Sequence, residues 1–266
     1  LLASALLLST SAYGNEVLRI SGASTIQPIL KRTAPEFTAA TGILLNISGG
    51  GSAHGITAVL AGEADIGMLS RSPSDEEAKI LEVTRIGYDA LALVVHESNA
   101  LDDLTHDQVR DIFQGKITEW QSISPRQSGM IARVGKAHGR STRLLFDQFF
   151  GLTAANYPKN LPIVGADASG ILYVSIDPQA IAYISAGSIL RAIRLGAPVK
   201  LLSIDGKFPK PDLIRNADYP YGHPLNLVTR HPQPPKVRQF LDWITHHEKG
   251  QQAVEAEGFL AIGTQP

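Results

Sequence analysis

Three short stretches rich in glycine and hydroxyl side chains are the residues of this chain best suited to chemistry. Each one precedes an apolar pattern with helical spacing, and they read Gly22-Ala23-Ser24-Thr25, Gly49-Gly50-Gly51-Ser52-Ala53-His54-Gly55 and Lys136-Ala137-His138-Gly139-Arg140-Ser141-Thr142. The N-terminus of a helix presents free backbone N–H groups, and adjacent hydroxyl groups add further donors. Together the three stretches predict one site that holds an oxyanion between converging helix ends.

A second chemistry stays open, because His54 follows Ser52 closely enough to suggest an exported hydrolase or phosphatase with Ser52 or Ser141 as the nucleophile. A nucleophilic serine needs a base and a third group that orients the base. The sequence contains no Gly-x-Ser-x-Gly motif and no cluster of metal-ligand residues. We therefore predict that the chain is not an enzyme, with no catalytic residue, no metal site and no cofactor.

Composition limits the classes of partner. The chain has 266 residues, of which 44% are hydrophobic and 18% charged, enough for one large domain or two small ones. Its net charge is −1 and its lysines and arginines are scattered, which predicts no nucleic-acid partner. The absence of cysteine excludes disulfides, thiolate metal sites and cysteine nucleophiles, and we expect no lipid anchor.

The first residues have the character of an export signal. Residues 1–14 form an apolar run that ends in small residues at Ala12 and Gly14, as in the second half of a signal peptide. The alternative is an N-terminal apolar strand. The run is too short for a membrane span. We expect a soluble exported protein.

Strand and helix patterns alternate along the chain, which predicts an α/β protein with a parallel sheet. Pro35 falls inside the first helical pattern and is expected to kink or split it. Thr105-His106-Asp107-Gln108 is a capping-box pattern that opens another helix. A crossover loop is predicted over 206–224. Strands are predicted at 17–21, 43–48, 64–68, 88–95, 131–134, 180–184, 200–204 and 224–229, and helices at 25–41, 52–61, 76–83, 105–114, 141–150 and 236–257.

An ordered set of motifs resembles the periplasmic phosphate-binding proteins of ABC importers, a type II periplasmic binding protein family. The motifs are Gly22-Ala23-Ser24-Thr25, Gly50-Gly51-Ser52, Gly62-Glu63-Ala64-Asp65-Ile66-Gly67-Met68-Leu69-Ser70-Arg71, Asp111-Ile112-Phe113-Gln114-Gly115-Lys116-Ile117-Thr118-Glu119-Trp120, Gly139-Arg140-Ser141-Thr142-Arg143 and Ala180-Ile181-Ala182-Tyr183-Ile184. The resemblance implies two Rossmann-like α/β lobes joined by a two-stranded hinge. A discontinuous first lobe would comprise 15–97 and 217–266, and the second lobe 98–216.

The resemblance also implies a binding site and partners. The ligand would be inorganic phosphate, the protein partner a membrane ABC permease, and the protein a monomer. By the matching motifs, the phosphate-binding residues would be Ser24, Thr25, Ser52, Ser70, Arg71, Lys136, Arg140, Ser141 and Thr142.

Two departures from the family pattern leave the ligand open. Where many members have an arginine and then Gly-Ser-Gly-Thr, this chain has Lys136 and then Gly139-Arg140-Ser141-Thr142. An aspartate in the first lobe accepts a proton from phosphate in many members, but Ser70 stands at the matching place. Phosphate is our first choice, and sulfate, molybdate or tungstate are the alternatives. A phosphate sensor or secreted phosphate-binding protein is a further alternative.

Overall fold

The computed structural model describes residues 16–262, so the predicted signal segment 1–14 lies outside the described residues. The strands in this range are β1 (Val17–Gly22), β2 (Leu44–Gly49), β3 (Ile66–Leu69), β4 (Glu82–His96), β5 (Asp103–Leu104), β6 (Ala132–Lys136), β7 (Ile163–Val164), β8 (Ala180–Ser185), β9 (Val199–Ile204), β10 (Gly222–Thr229) and β11 (Leu260–Ala261). The helices are α1 (Gln27–Thr41), α2 (Ser52–Leu60), α3 (Asp75–Ile80), α4 (His106–Gln114), α5 (Ser141–Phe150), α6 (Asp167–Ile176), α7 (Ala186–Arg194), α8 (Pro211–Arg215), α9 (Pro235–His246) and α10 (Glu248–Ala256). In that same range no helix is both long and apolar enough to cross a membrane.

The first lobe is built on strands in the order β2-β1-β3-β10-β4. The β1 strand pairs in parallel with β2 and β3, whereas β10 runs antiparallel to β3 and β4. Helices α1, α9 and α10 bury their apolar faces in one cluster with these strands, where Phe37 lies 5.0 Å from Phe240, centroid to centroid. The C-terminal helices therefore complete a lobe that begins at the N-terminal strand.

The second lobe contains β6 between β8 and β7, with β8 and β9 antiparallel to β4. All six residues of β8 are buried, as expected for an apolar strand covered on both faces. Phe113, Phe146 and Tyr183 pack together in the centre of this lobe, with 3.7 Å between the ring centroids of Phe146 and Tyr183. The predicted fold class, two α/β lobes joined by shared strands, is confirmed.

One long strand, β4, runs through both lobes. Its first half pairs with β10, and Leu91–Val95 pair with β8. The side chains of residues 90–95 belong to the core of the second lobe, as do Tyr219 and Tyr221. We therefore propose that the chain crosses between lobes near Asp89 and again near Gly222, in place of the sequence-based boundaries at 97 and 217.

Several element boundaries differ from the prediction. Helix α1 continues through Pro35. The predicted helix at 76–83 ends at Ile80, because Glu82 already pairs with β10. The predicted helix at 236–257 is divided by extended backbone at His247, whose Nδ1 accepts a hydrogen bond from the Lys249 N–H. The capping box at Thr105 is confirmed. Helices α6 and α7 were not predicted, and α8 lies within the predicted loop.

A glycine in α2 allows this helix to pack closely on β1. A Cβ atom at Gly55 would lie 2.7 Å from the Ser21 carbonyl oxygen and 2.8 Å from the Gly22 Cα. Because both contacts are to backbone, a larger residue must push α2 away from the sheet. The first turn of α2, which begins at Ser52, would move with it.

We predict that Gly55→Ala lowers the free energy of unfolding by about 1–3 kcal/mol, since overpacking against rigid backbone strains the helix–sheet contact. Urea unfolding followed by circular dichroism measures the change. Thr57→Ala is the matched control, because Thr57 is exposed on the same helix and its loss should change stability by less than about 0.5 kcal/mol. Equal midpoints for Gly55→Ala and the wild type would show that the contact is looser than described.

Candidate functional site

Helix N-termini from both lobes converge on one small cavity. Helices α2 and α5 begin at Ser52 and Ser141, and in neither is a first-turn N–H bonded by an N-cap side chain. By contrast, α3 and α4 both carry complete capping boxes. Apart from the Arg143 N–H, which donates to the Arg140 carbonyl oxygen, the N–H groups at the starts of α2 and α5 are therefore left for another acceptor, which is the arrangement that binds anions.

The cavity is small, and most of the residues that line it have polar side chains. Eight of the nine predicted ligand residues line it, together with four that were not predicted. The lining residues are Ala23, Ser24, Thr25, Gly51, Ser52, Ser70, Lys136, Arg140, Ser141, Thr142, Gly165 and Asp167. In the structure the eight predicted residues lie together at this cavity. That they contact a ligand stays a prediction.

Hydrogen bonds across the cavity join the two lobes. The hydroxyls of Ser52 and Ser141, one from each lobe, hydrogen bond with each other. The Ser52 Oγ also accepts a hydrogen bond of 3.2 Å from the Ser70 backbone N–H. Arg140 of the second lobe donates from Nη1 to Ser24 Oγ of the first, at 2.7 Å. The lobes are therefore closed on each other at this site.

The two glycine-rich loops meet at Gly51. A Cβ atom at this residue would lie 2.6 Å from the Gly139 carbonyl oxygen of the opposite lobe, and its φ is 97°. A positive φ disfavours every residue with a Cβ, and the close approach leaves no space for one. Glycine at position 51 is thus required for the loops to come together.

A buried charge pair of Lys136 and Asp167 forms one wall of the cavity. The sequence analysis predicted Lys136 as a site residue but not Asp167. The Lys136 Nζ, on a side chain that is 2% exposed, lies 2.7 Å from Asp167 Oδ1. The other oxygen of this carboxylate, Oδ2, accepts a hydrogen bond of 2.9 Å from Ser188 Oγ. Asp167 starts α6, a helix that was not predicted. An acidic residue at the first turn of a helix was the available signal.

Arg71 is the predicted ligand residue that the structure places elsewhere. Its guanidinium donates to both carboxylate oxygens of Glu77, each at 2.7 Å, and it does not line the cavity. The hydrogen bond from Arg71 is the main reason why the pKa of Glu77 lies below its usual range. A bidentate pair holds the arginine in the loop before α3, so this geometry does not support ligand contact by Arg71.

Arg143 has a similar structural role in the second lobe. It donates from Nε to Asp147 at 2.8 Å, and its guanidinium lies 3.7 Å from the centroid of the Tyr157 ring. Its Nη1 also donates to the Lys136 carbonyl oxygen at 3.4 Å. The cation at the start of α5 is therefore neutralised by its own helix and supports the loop that carries Lys136. Within residues 16–262, no group of three or more potential metal ligands is assembled.

The fold and the interlobe cavity define a two-lobed periplasmic binding protein with an anion site between its lobes. The model of the PBP superfamily domain matches residues 9–248, and the chain belongs to that superfamily. Phosphate-binding protein PstS of Borreliella burgdorferi is 26% identical over 273 residues, covering 99% of this chain and 97% of that protein. PstS of Bacillus subtilis is 25% identical over 264 residues, covering 96% and 85%.

Two solved structures superpose on this chain over most of its length. A structure from Clostridium perfringens, described as a phosphate ABC transporter substrate-binding protein with bound phosphate, superposes with a TM-score of 0.83 at 28% identity, covering 93% of this chain and all of that one. An ABC-type phosphate transport receptor from Vibrio cholerae gives a TM-score of 0.75 at 24% identity, covering 91% and 99%. The expected family resemblance is confirmed.

We predict that Glu77→Gln destabilises the chain by up to about 1 kcal/mol near neutral pH, a small effect because the pair is partly exposed. A carboxylate whose pKa is lowered by folding contributes stability above its unfolded pKa of about 4.3 and loses it as the pH falls through the folded value. The difference in the free energy of unfolding between the variant and the wild type should therefore become smaller at acidic pH. Urea unfolding across this pH range measures it, with the exposed neighbour Glu76→Gln as control. A pH-independent difference would contradict the ion-pair explanation.

Proposed function

We propose that this chain captures inorganic phosphate between its lobes and delivers it to a membrane ABC permease. The observation that carries the proposal is the cavity between the closed lobes, at which two helix N-termini, several hydroxyls and Arg140 converge from both lobes. The names of the relatives support phosphate as the ligand, as does the phosphate-bound structure from Clostridium perfringens.

The donors in the cavity suit a dehydrated tetrahedral oxyanion. Hydroxyl and backbone N–H groups replace water without adding charge, while a guanidinium can bind two oxygens at once. Ser52 and Ser141 would donate to the ligand instead of to each other. We propose Ser24, Thr25, Ser52, Ser70, Lys136, Arg140, Ser141 and Thr142 as the binding residues, without Arg71 and with Asp167 added.

Phosphate would also drive closure of the lobes. A ligand that contacts both lobes binds the closed form more tightly than the open one, and so shifts the population toward closure. The crossings of β4 and β10 between the lobes are the two segments about which the lobes would move. A permease that recognises the closed form would then receive loaded protein. This role implies an exported, monomeric protein in the periplasm.

Two other functions make different predictions. A phosphate sensor or secreted phosphate-binding protein would bind the same ligand without a permease, so co-purification with permease subunits distinguishes them. An exported hydrolase would use Ser52 or Ser141 as its nucleophile. In the structure these hydroxyls bond to each other, and the neighbouring His54 and His138 are exposed. Turnover of phosphate esters by the purified chain would favour the hydrolase.

We predict that the ligand-stripped chain binds phosphate in a calorimetric titration and that Arg140→Met weakens binding by about 2–5 kcal/mol, because a charged donor is removed from a desolvated site. Arg71→Met is the matched control. It removes a guanidinium that contacts Glu77, so phosphate affinity should stay near the wild-type value. If the wild-type chain shows no binding at millimolar phosphate, the proposed function is overturned. If both variants lose the same amount of phosphate affinity, the assignment of Arg140 is overturned.

Asp167 bears on which oxyanion the site accepts. A carboxylate in the wall of an anion site repels the ligand unless a proton lies between the two oxygens. Phosphate carries such a proton at neutral pH, whereas sulfate does not. Lys136 and Ser188 hold the Asp167 oxygens in place, and each oxygen keeps a lone pair for a further hydrogen bond. We infer that Asp167, in the second lobe, selects phosphate over sulfate. Ser70 cannot do so in this way, because it has no carboxylate to accept the phosphate proton.

We predict that Asp167→Asn lowers the preference for phosphate over sulfate by at least about tenfold, equivalent to about 1.4 kcal/mol, because an amide can donate to an unprotonated oxygen. Competition of sulfate against phosphate in calorimetry measures the ratio. Asp177→Asn, at the other end of α6, serves as control and should leave the ratio unchanged. Continued exclusion of sulfate by the Asp167→Asn variant would show that selection lies elsewhere.

A further inference from the structure

A histidine and an aspartate face each other where the two strands cross between the lobes. His223 of β10 and Asp89 of β4 are register partners, and their side chains are 3% and 1% exposed. The His223 Nε2 lies 3.6 Å from Asp89 Oδ2. Two titratable groups are therefore buried together at the proposed hinge.

The first turn of α7 links this pair to the anion cavity. The Gly187 N–H donates to Asp89 Oδ1 at 3.1 Å. The next residue, Ser188, donates from its hydroxyl to Asp167 Oδ2 at 2.9 Å. Asp89 and Asp167 thus contact adjacent residues of one helix, and Asp167 lines the cavity. The buried histidine lies behind a wall of the proposed phosphate site.

The hydrogen bonding of the pair is incomplete. Within the described part of the chain, neither Asp89 Oδ2 nor His223 Nδ1 has a hydrogen-bond partner. Buried polar atoms without partners are costly, and native structures contain few of them. A proton on the imidazole would give Asp89 Oδ2 a cationic neighbour, but it would also place a charge in a site from which water is excluded.

The surrounding charges decide whether the imidazole can hold that proton. Burial lowers the pKa of His223, while the carboxylates of Asp89 on β4 and Asp167 on α6 oppose this effect. Burial also raises the pKa of Asp89. Asp167 is itself paired with Lys136 of β6. On α8, which also packs against β10, Asp212 and Arg215 are largely exposed and lie 3.9 Å apart.

We propose that His223 takes up a proton from solvent when an oxyanion enters the cavity, so that the hinge histidine becomes a counter-charge to the ligand. The inference rests on the proposed function and concerns the regulation of the same site. A bound dianion adds negative charge beside Asp167, in surroundings of low dielectric constant. Histidine is the side chain that responds to such a change near neutral pH.

The sign of the pH effect follows from this uptake. If the complex holds the proton more tightly than the unliganded chain, the His223 contribution strengthens binding as the pH falls. This gain begins at the histidine pKa of the complex and is complete below the pKa of the unliganded chain. The titration of phosphate itself is the same for every variant and cancels in a comparison between them.

The experiment compares proton uptake in the wild type and in His223→Asn. Phosphate is titrated calorimetrically near neutral pH in two buffers that differ in ionisation enthalpy, which gives the protons taken up per phosphate bound. We expect the wild type to take up about half a proton more than the variant. His246→Asn, an exposed histidine at the end of α9, is the control and should match the wild type. Equal uptake by the wild type and His223→Asn would overturn the inference.

A second measurement needs no substitution. Nitrogen NMR of the histidine rings in the wild-type chain distinguishes neutral from protonated imidazole, before and after addition of phosphate. A buried histidine that becomes protonated on binding supports the inference. A wild-type chain that binds phosphate while His223 stays neutral overturns the inference alone. A wild-type chain that binds no phosphate overturns the proposed function, and the inference falls with it.

Discussion

The closed arrangement depends on hydrogen-bond donors that meet from two lobes at one small cavity. An anion can leave water only where donors replace its hydration shell, and a helix N-terminus supplies several backbone donors with a favourable dipole. Here α2 and α5 begin without side-chain caps and approach each other through the glycine loops. Other helices of the same chain are fully capped. The starts of α8 and α9 also lack side-chain caps, so what distinguishes α2 and α5 is that their uncapped starts face each other across the cavity.

Charge is distributed around the cavity so that little of it is left unbalanced. Lys136 is paired with Asp167, Arg143 with Asp147 and Arg71 with Glu77. Arg140 differs, since the contact it makes across the cleft is to the hydroxyl of Ser24. Its cation is attached to the second lobe and reaches the first, which makes it suited to hold a ligand and the closed form at the same time.

The hinge region and the anion site share structural elements. The β4 strand belongs to the sheets of both lobes, and the N-terminal turn of α7 contacts both Asp89 on that strand and Asp167 in the cavity. Because buried hydrogen bonds in a packed core have few alternative arrangements, a change of charge at Asp167 is transmitted to the groups beside it. The ligand site is thus physically connected to the strands that join the lobes.

Local sequence determined most of the elements and the composition of the site. The alternation of strands and helices, the capping box at Thr105 and the hydroxyl-rich loops before α2 and α5 all follow from residues close together in the chain. Eight of the nine predicted ligand residues come together for this reason, since loops at the starts of helices in an α/β fold meet at one edge of the sheet.

Tertiary structure alone decided the partners of the charged groups and the ends of several elements. Asp167 contacts Lys136 and Ser188, and Arg71 pairs with Glu77 instead of lining the cavity. These side-chain contacts cannot be read from the periodicity of the sequence. Glu82 lies in a strand and not in the predicted helix, because it pairs with β10, which follows more than a hundred residues later in the chain. Propensity and pattern act over a few residues, whereas burial and ion pairing depend on which distant segments pack together. The sequence therefore determined what kind of site this is, and the packing of the two lobes decided which charges face it.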